Sequence, residues 1–143
     1  MSAKNQSSVQ KIDHIGIAVE NLEDAVAVYA ILVGKGPDHQ EEVLDQKVKT
    51  AFFSVGESHI ELLEPTTPDS PIAQFMKKHG KGGIHHICVE VSDIYEKLAE
   101  LKKQGVRLID DEPRLGAQGK LVAFVHPKAM KDVLIELSQT QKM

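Results

Sequence analysis

A cationic excess is missing from this chain. Against 17 lysines and arginines stand 21 aspartates and glutamates, for a formal charge of −4. No basic field is available to hold a phosphodiester backbone, which argues against a nucleic-acid partner. The one short basic run, Lys77, Lys78 and Lys81, reads as a solvated helix end. Cysteine is almost absent too. Cys88 alone cannot close an intramolecular disulfide, which fits a reducing compartment. With no cation near it in sequence, it lacks what activates a nucleophilic thiol. No apolar run approaches a membrane span. Residues 1–10 have neither the apolar core of a secretory signal nor the arginines of a transit peptide, and are expected to form a disordered polar tail. These absences predict a cytoplasmic protein with no membrane partner. Aromatic residues are scarce at 4%, so a core drawn from the 41% hydrophobic residues must be mostly aliphatic.

What the chain does have is a repeat. IDHIGIAV at 12–19 returns as IHHICVEV at 84–91, with His86 standing 72 positions after His14. Each copy alternates in the period-two manner of a strand and is rich in β-branched residues. Ile15, Ile17, Ile87 and Val89 take the packing face, so His14 and His86 point to the other face. His85, beside His86, takes the packing side and reads as structural. Beyond each strand lies a helix signal. Asn21 and Asp93 are N-cap candidates, with Asp24 and Glu96 three residues on. Apolar residues at Leu22, Val26, Tyr29 and Leu32, and at Ile94, Leu98 and Leu101, keep helical spacing, and Gly34 and Gly105 stop the helices. Each half closes on a strand bearing one carboxylate: HIELLEP with Glu61 and VLIELSQ with Glu136.

The spacing predicts strands at 11–19, 41–46, 48–55 and 58–64 around a helix at 21–33, with a hairpin turn at Gly56-Glu57. A linker helix at 71–79 begins with proline at its first position. The second half is expected to give a strand at 84–91, a helix at 93–104, a strand at 106–110, a loop at 111–119, and strands at 120–126 and 132–138. The chain therefore reads as α+β with mixed sheets. It is one domain over 11–139, made of tandem βαβββ modules at about 11–65 and 84–139, and its 143 residues suit that size.

His14, Glu61, His86 and Glu136 occupy matched places in the two modules, each on the face away from the aliphatic residues. Two imidazoles and two carboxylates suit a divalent first-row metal in octahedral or open geometry, and two further positions remain for water or substrate. A solitary histidine or glutamate in a strand is ordinarily a hydrogen-bonded residue. Four ligand types at equivalent positions outweigh that reading. His59 shares the parity of Glu61 and fits either a cavity lining or the surface. His126-Pro127-Lys128 ends a strand where cations suit phosphate or carboxylate, and Asp110-Asp111-Glu112 reads as a solvated loop.

The paired IDHIGIAV and GIHHICVEV strands, with ELLEP and LIELSQ, resemble the vicinal oxygen chelate superfamily (glyoxalase, bleomycin resistance and dioxygenase proteins). The stretches DSPIAQFMKKHGKGGIHHICVEVSDI and GAQGKLVAFVHPKAMKDVLIELSQ are similar to its methylmalonyl-CoA epimerase family, over essentially all of 11–139. The resemblance implies two βαβββ modules in a cupped mixed sheet around a metal, a homodimer, and an acyl-CoA substrate in propionate metabolism. His14, His86 and Glu136 match the family's ligands directly. Glu61 sits where members have Gln or Glu. The metal would be cobalt, manganese, nickel, zinc or magnesium. One departure stands out. A bacterial epimerase has a candidate catalytic Glu where Thr50 aligns, and the nearest carboxylates in sequence are Glu42 and Asp45.

The implied reaction is an isomerisation: (R)- and (S)-methylmalonyl-CoA interconvert through metal-assisted proton abstraction at C2 and an enolate, with Glu136 as one acid–base group. The same ligands also occur in lactoylglutathione lyases, the nearest alternative. A ligand-binding module of the superfamily is a second alternative, against which the intact ligand set counts.

Overall fold

A computed structural model of the chain describes residues 7–141. Their contacts divide the chain into two compact units, one of His14–His85 and one of the chain up to Asp13 with His86 onward.

In the first unit, β1 (Val9–Ala18, from His14 on), β2 (His39–Val43), β3 (Val48–Val55) and β4 (Ser58–Pro65) lie in the order β2-β3-β4-β1. β1 and β4 run parallel and the other pairs antiparallel. Between β1 and β2 comes α1 (Leu22–Val33). Asn21 caps it by accepting the amide of Asp24 at 2.8 Å, and Gly34 ends it at φ 91°, a left-handed conformation that costs glycine little. Leu22, Ala25, Val26, Tyr29 and Val33 pack on Ile17, Val19, Ala51, Phe53 and Leu62. This is the expected stripe with one correction. Leu32 is 71% exposed, because a turn of 3.6 residues carries the buried line from Tyr29 to Val33.

The opposite face of the same sheet carries Ala18, Val48 and Leu63, and α2 (Pro71–His79) covers them with Ile72, Phe75 and Met76. Ser70 caps α2 through the amides of Ile72 and Ala73. The segment expected only to link the modules thus roofs one end of the face that carries His14 and Glu61. Gly82 lies against β1 so closely that a Cβ would stand 2.3 Å from the Ala18 carbonyl oxygen, and no side chain fits there.

The second unit orders β5 (Gly83–Val91, from His86 on), β8 (Ile135–Gln139), β7 (Leu121–Val125) and β6 (Arg114–Leu115) as β5-β8-β7-β6, with β5 and β8 parallel. Its helix α3 (Ile94–Lys103) is capped by Asp93 through the amide of Glu96 at 3.0 Å. Ile94 and Leu98 are fully buried among Val91, Ala123, Val125 and Leu137, with Val89, Leu101 and Ile135 packed around them. Both modules are therefore α+β with mixed sheets, as the periodicities require.

Three expectations need correction. The strand at 106–110 is reduced to a single bridge, Leu108 to Val125. The amides of Ile109 and Asp110 converge on the Phe124 carbonyl, and the Asp110 carboxylate takes the Phe124 amide at 2.8 Å, so a side chain occupies a place in the ladder. Asp110 is thereby a sheet-edge tie, and the short β6 lies inside the expected loop at 111–119. β2 begins at His39, because Asp38 accepts the Ser54 amide at 2.6 Å and starts the pairing early. The expected tail is the third case. Residues 1–6 lie outside the described residues, but Ser7 is buried and Val9 and Gln10 belong to β1. The Ser7 hydroxyl accepts the Asp93 amide at 2.9 Å, and the Ser8 amide donates to Ser92 Oγ at 3.1 Å. These serines satisfy backbone groups at the head of α3, a use that their composition alone does not reveal. Among the described residues, no helix is long and apolar enough to cross a membrane.

Candidate functional site

Each unit presents the same small assembly. In the first, β1 and β4 run parallel with Gly16 beside Glu61 and His14 beside His59, which aims His14 and Glu61 from one face. His14 Nε2 lies 3.2 Å from Glu61 Oε1, and both side chains are at most 10% exposed. In the second, β5 and β8 set Cys88 beside Glu136. His86 Nε2 lies 3.1 Å from Glu136 Oε1, again buried. The structure thus joins the four sequence candidates as two pairs, one in each unit.

Two ligand atoms about 2.1 Å from one ion at a right angle are about 3 Å apart. Each pair has that spacing, with a nitrogen and an oxygen donor out of bulk water, and so fits adjacent ligands of a divalent metal.

Phenylalanine completes each assembly, and sequence reasoning missed it. Phe52 stands directly opposite Glu61 in the β3–β4 register, and Phe124 opposite Glu136 in β7–β8. The Phe52 ring meets His14 edge-on with centroids 6.2 Å apart, and Phe124 meets His86 at 6.0 Å. The signal was available: Phe124 follows Phe52 by the same 72 positions that separate the histidines. A second shared device pins the carboxylate strands. Glu64 accepts the Leu22 amide at 2.7 Å, and Gln139 accepts the Ile94 amide at 2.8 Å, so the last strand of each module holds the first turn of its helix.

The remaining candidates separate clearly. His59 shares the face of Glu61 and meets Phe52 edge-on at 6.2 Å. His85 packs edge-on against Phe75 at 5.0 Å. Cys88 is fully buried and free of any disulfide. Thr50 is buried, and its hydroxyl donates to the Glu41 carbonyl at 3.4 Å. Of the nearby carboxylates, Glu42 pairs in register with Lys49 and so points away from the face of Thr50, and Asp45 lies in the turn at Leu44–Gln46. Glu41 is the one opposite Thr50.

In the second unit, the Arg114 guanidinium lies over Phe124, 5.6 Å from the ring centroid, with its Nε 3.4 Å from Asp110. His126 accepts the Lys128 amide at 3.1 Å. Burial, and then the charges of Arg107 and Lys128, hold its imidazole pKa below the ordinary value.

Comparison with known proteins follows the same line. The family model described as Glyoxalase/Bleomycin resistance protein/Dioxygenase superfamily matches residues 13–124. A mitochondrial methylmalonyl-CoA epimerase of Dictyostelium discoideum is 40% identical over 92% of this chain and 79% of its own. An ethylmalonyl-CoA/methylmalonyl-CoA epimerase of Cereibacter sphaeroides is 41% identical over 92% of this chain and 98% of its own. Among solved structures, a methylmalonyl-CoA epimerase in complex with methylmalonyl-CoA and NH4+ superposes with a TM-score of 0.87 at 37% identity, covering 93% of this chain and 96% of that one.

Proposed function

Because the chain belongs to the glyoxalase/bleomycin resistance protein/dioxygenase superfamily, and within it to the methylmalonyl-CoA epimerases, we propose that it interconverts (R)- and (S)-methylmalonyl-CoA by moving the proton at C2. The observation that carries this reading is the duplicated pair, His14 with Glu61 and His86 with Glu136, buried at near-contact distances.

In this reading the two βαβββ modules form one domain, and His14, Glu61, His86 and Glu136 are the residues that would hold a divalent metal, its identity set by supply and geometry. Bound there, such an ion would supply Lewis acidity for the negative charge that develops on the substrate. The chain's own residues do the rest. Glu136 takes the C2 proton, and the electron pair passes into the thioester to give an enolate, which is reprotonated on the opposite face. Phe52 and Phe124 keep the imidazoles in line and keep water from their edges. Arg107 and Lys128 bring positive charge close to the His126 imidazole in one unit, which suits the phosphates of coenzyme A. The lone cysteine supports a cytoplasmic setting. Val28, Ile31 and Leu32, exposed along α1, form the apolar face on which a homodimer would pack.

The test is epimerisation of methylmalonyl-CoA followed in deuterated water. Glu136→Gln should lower turnover by about 10²- to 10⁴-fold and suppress exchange at the C2 face it serves. Unchanged turnover removes Glu136 from the chemistry. Turnover of the methylglyoxal–glutathione hemithioacetal, with none of methylmalonyl-CoA, makes the chain a lyase of the lactoylglutathione type.

A further inference from the structure

Methylmalonyl-CoA differs from a simple acyl-CoA thioester in one group, a free carboxylate bonded to C2. A site that works at C2 must also receive that charge. We propose that Arg114 binds this carboxylate and so selects acyl-CoA substrates that carry one; the inference rests on the epimerase reading above and uses residues of the second unit alone.

Register puts Arg114 on the working face. It lies directly opposite Val122 across the β6–β7 pair, and Phe124, two residues along β7, lies opposite Glu136 on β8. Residues opposite in an antiparallel pair share a face, and so do residues two apart on one strand. Arg114, Val122, Phe124 and Glu136 therefore project from one side of this sheet, while Ala123, Val125 and Leu137 take the other and pack with α3. The guanidinium carbon stands over the Phe124 ring, 5.6 Å from its centroid, and the same ring meets His86 edge-on at 6.0 Å. One aromatic ring thus separates the guanidinium from the His86–Glu136 pair, where the epimerase reading places C2.

The guanidinium is held from two directions. Beneath it lies the Phe124 ring, an arrangement that attracts a cation. Beside it, the Asp110 carboxylate accepts the Phe124 amide at 2.8 Å through Oδ2 and lies 3.4 Å from Arg114 Nε through Oδ1. With Nε turned to Asp110, the two terminal amino groups form the fork that a carboxylate matches with two hydrogen bonds. The contact to Asp110 is longer than an ordinary hydrogen bond, and the arginine side chain is 46% exposed, so an entering anion can reach it. The edge strand is drawn close to this face. A Cβ on Gly116 would stand 2.8 Å from Val122 Cγ2, so a side chain there would push β6 away from its partner.

Position favours the carboxylate over the phosphates of coenzyme A. The whole pantetheine arm separates those phosphates from the thioester, whereas the carboxylate is bonded to C2. A cation one ring away from the His86–Glu136 pair suits the nearer group. Only one module is built this way. In the first unit Thr50 precedes Phe52 as Val122 precedes Phe124, and the residue opposite Thr50 is Glu41. A carboxylate repels the anion that a guanidinium attracts, so the repeat offers an anion site in its second copy alone.

The experiment compares dissociation constants of methylmalonyl-CoA and of propionyl-CoA, which lacks the carboxylate, on metal-loaded wild type, Arg114→Met and Arg114→Lys, with KM and kcat for epimerisation alongside. Arg114→Met should weaken methylmalonyl-CoA binding by about 10- to 100-fold and raise KM in step, while propionyl-CoA binds as before. Arg114→Lys should restore only part of the loss, since an ammonium lacks the fork. Equal losses for both thioesters would assign Arg114 to the coenzyme A portion and overturn the proposal, as would unchanged affinity for both. A wild type that binds methylmalonyl-CoA without inverting it overturns the epimerase reading instead, a separate outcome because the binding comparison is read without turnover.

Discussion

Phe52 meets the imidazole of His14 with ring planes at 90°, and the same ring lies directly across the sheet from Glu61. One buried side chain thus touches the nitrogen donor and neighbours the oxygen donor of the same pair. Its orienting role predicts that Phe52→Leu, which keeps an apolar group there, weakens divalent-metal affinity by about tenfold. Competition against a chromophoric chelator measures this. Equal affinity in the two proteins would reduce Phe52 to a packing residue.

Loss of His86 should separate metal binding from folding. The core of its unit consists of Val91, Ile94, Leu98, Val125 and Leu137, none of which depends on the imidazole. His86→Ala is therefore expected to fold, yet to bind less than one metal per chain by elemental analysis. A metal at a hundred times its dissociation constant stabilises the wild type by about 2.7 kcal/mol. That increment should vanish on chelation and be absent from the variant. A His86→Ala protein that fails to fold would instead favour a structural histidine.

Lys120 and Asp13 form an ion pair at 2.8 Å, with side chains 18% and 5% exposed. Removing the cation leaves a carboxylate out of water without its counter-charge. Lys120→Met should cost about 3 kcal/mol in urea unfolding, and adding Asp13→Asn should recover most of it. A loss below about 0.5 kcal/mol would show that the pair behaves as an ordinary surface contact.

Asp38 gives the acid limb of stability a specific origin. The Ser54 amide, followed by the Lys35 ammonium, lowers its pKa to about 2. The unfolded value is about 3.9, so its stabilisation is complete above that pH and is lost as pH falls toward 2. Asp38→Asn should flatten urea midpoints across that window. Midpoints that fall as steeply as in wild type would contradict this source.

Much of the molecule was legible because its signals are local. The caps at Asn21 and Asp93, the stop at Gly34 and the alternation around His14 and His86 each depend on neighbours a few residues away. The internal repeat extended that reach, since equivalent positions imply equivalent surroundings, and so it selected Glu61 and Glu136. Mixed α+β modules followed from the same patterns. Strand signals failed where a side chain replaced the ladder, as Asp110 does at 106–110, and where serine hydroxyls served backbone amides, as Ser7 and Ser92 do at the head of α3.

By itself, then, the sequence determined the elements, their duplication and the four ligand candidates, all of which follow from hydrophobic period and backbone capping. Tertiary structure decided what register decides. Cross-strand hydrogen bonding set Phe52 against Glu61, turned Glu42 away and put Glu41 across from Thr50. Asp13 found Lys120 at a distance in sequence that no local pattern spans. Sliding one strand by a single residue would send each of these side chains to the other face, and that choice is made by the strands together.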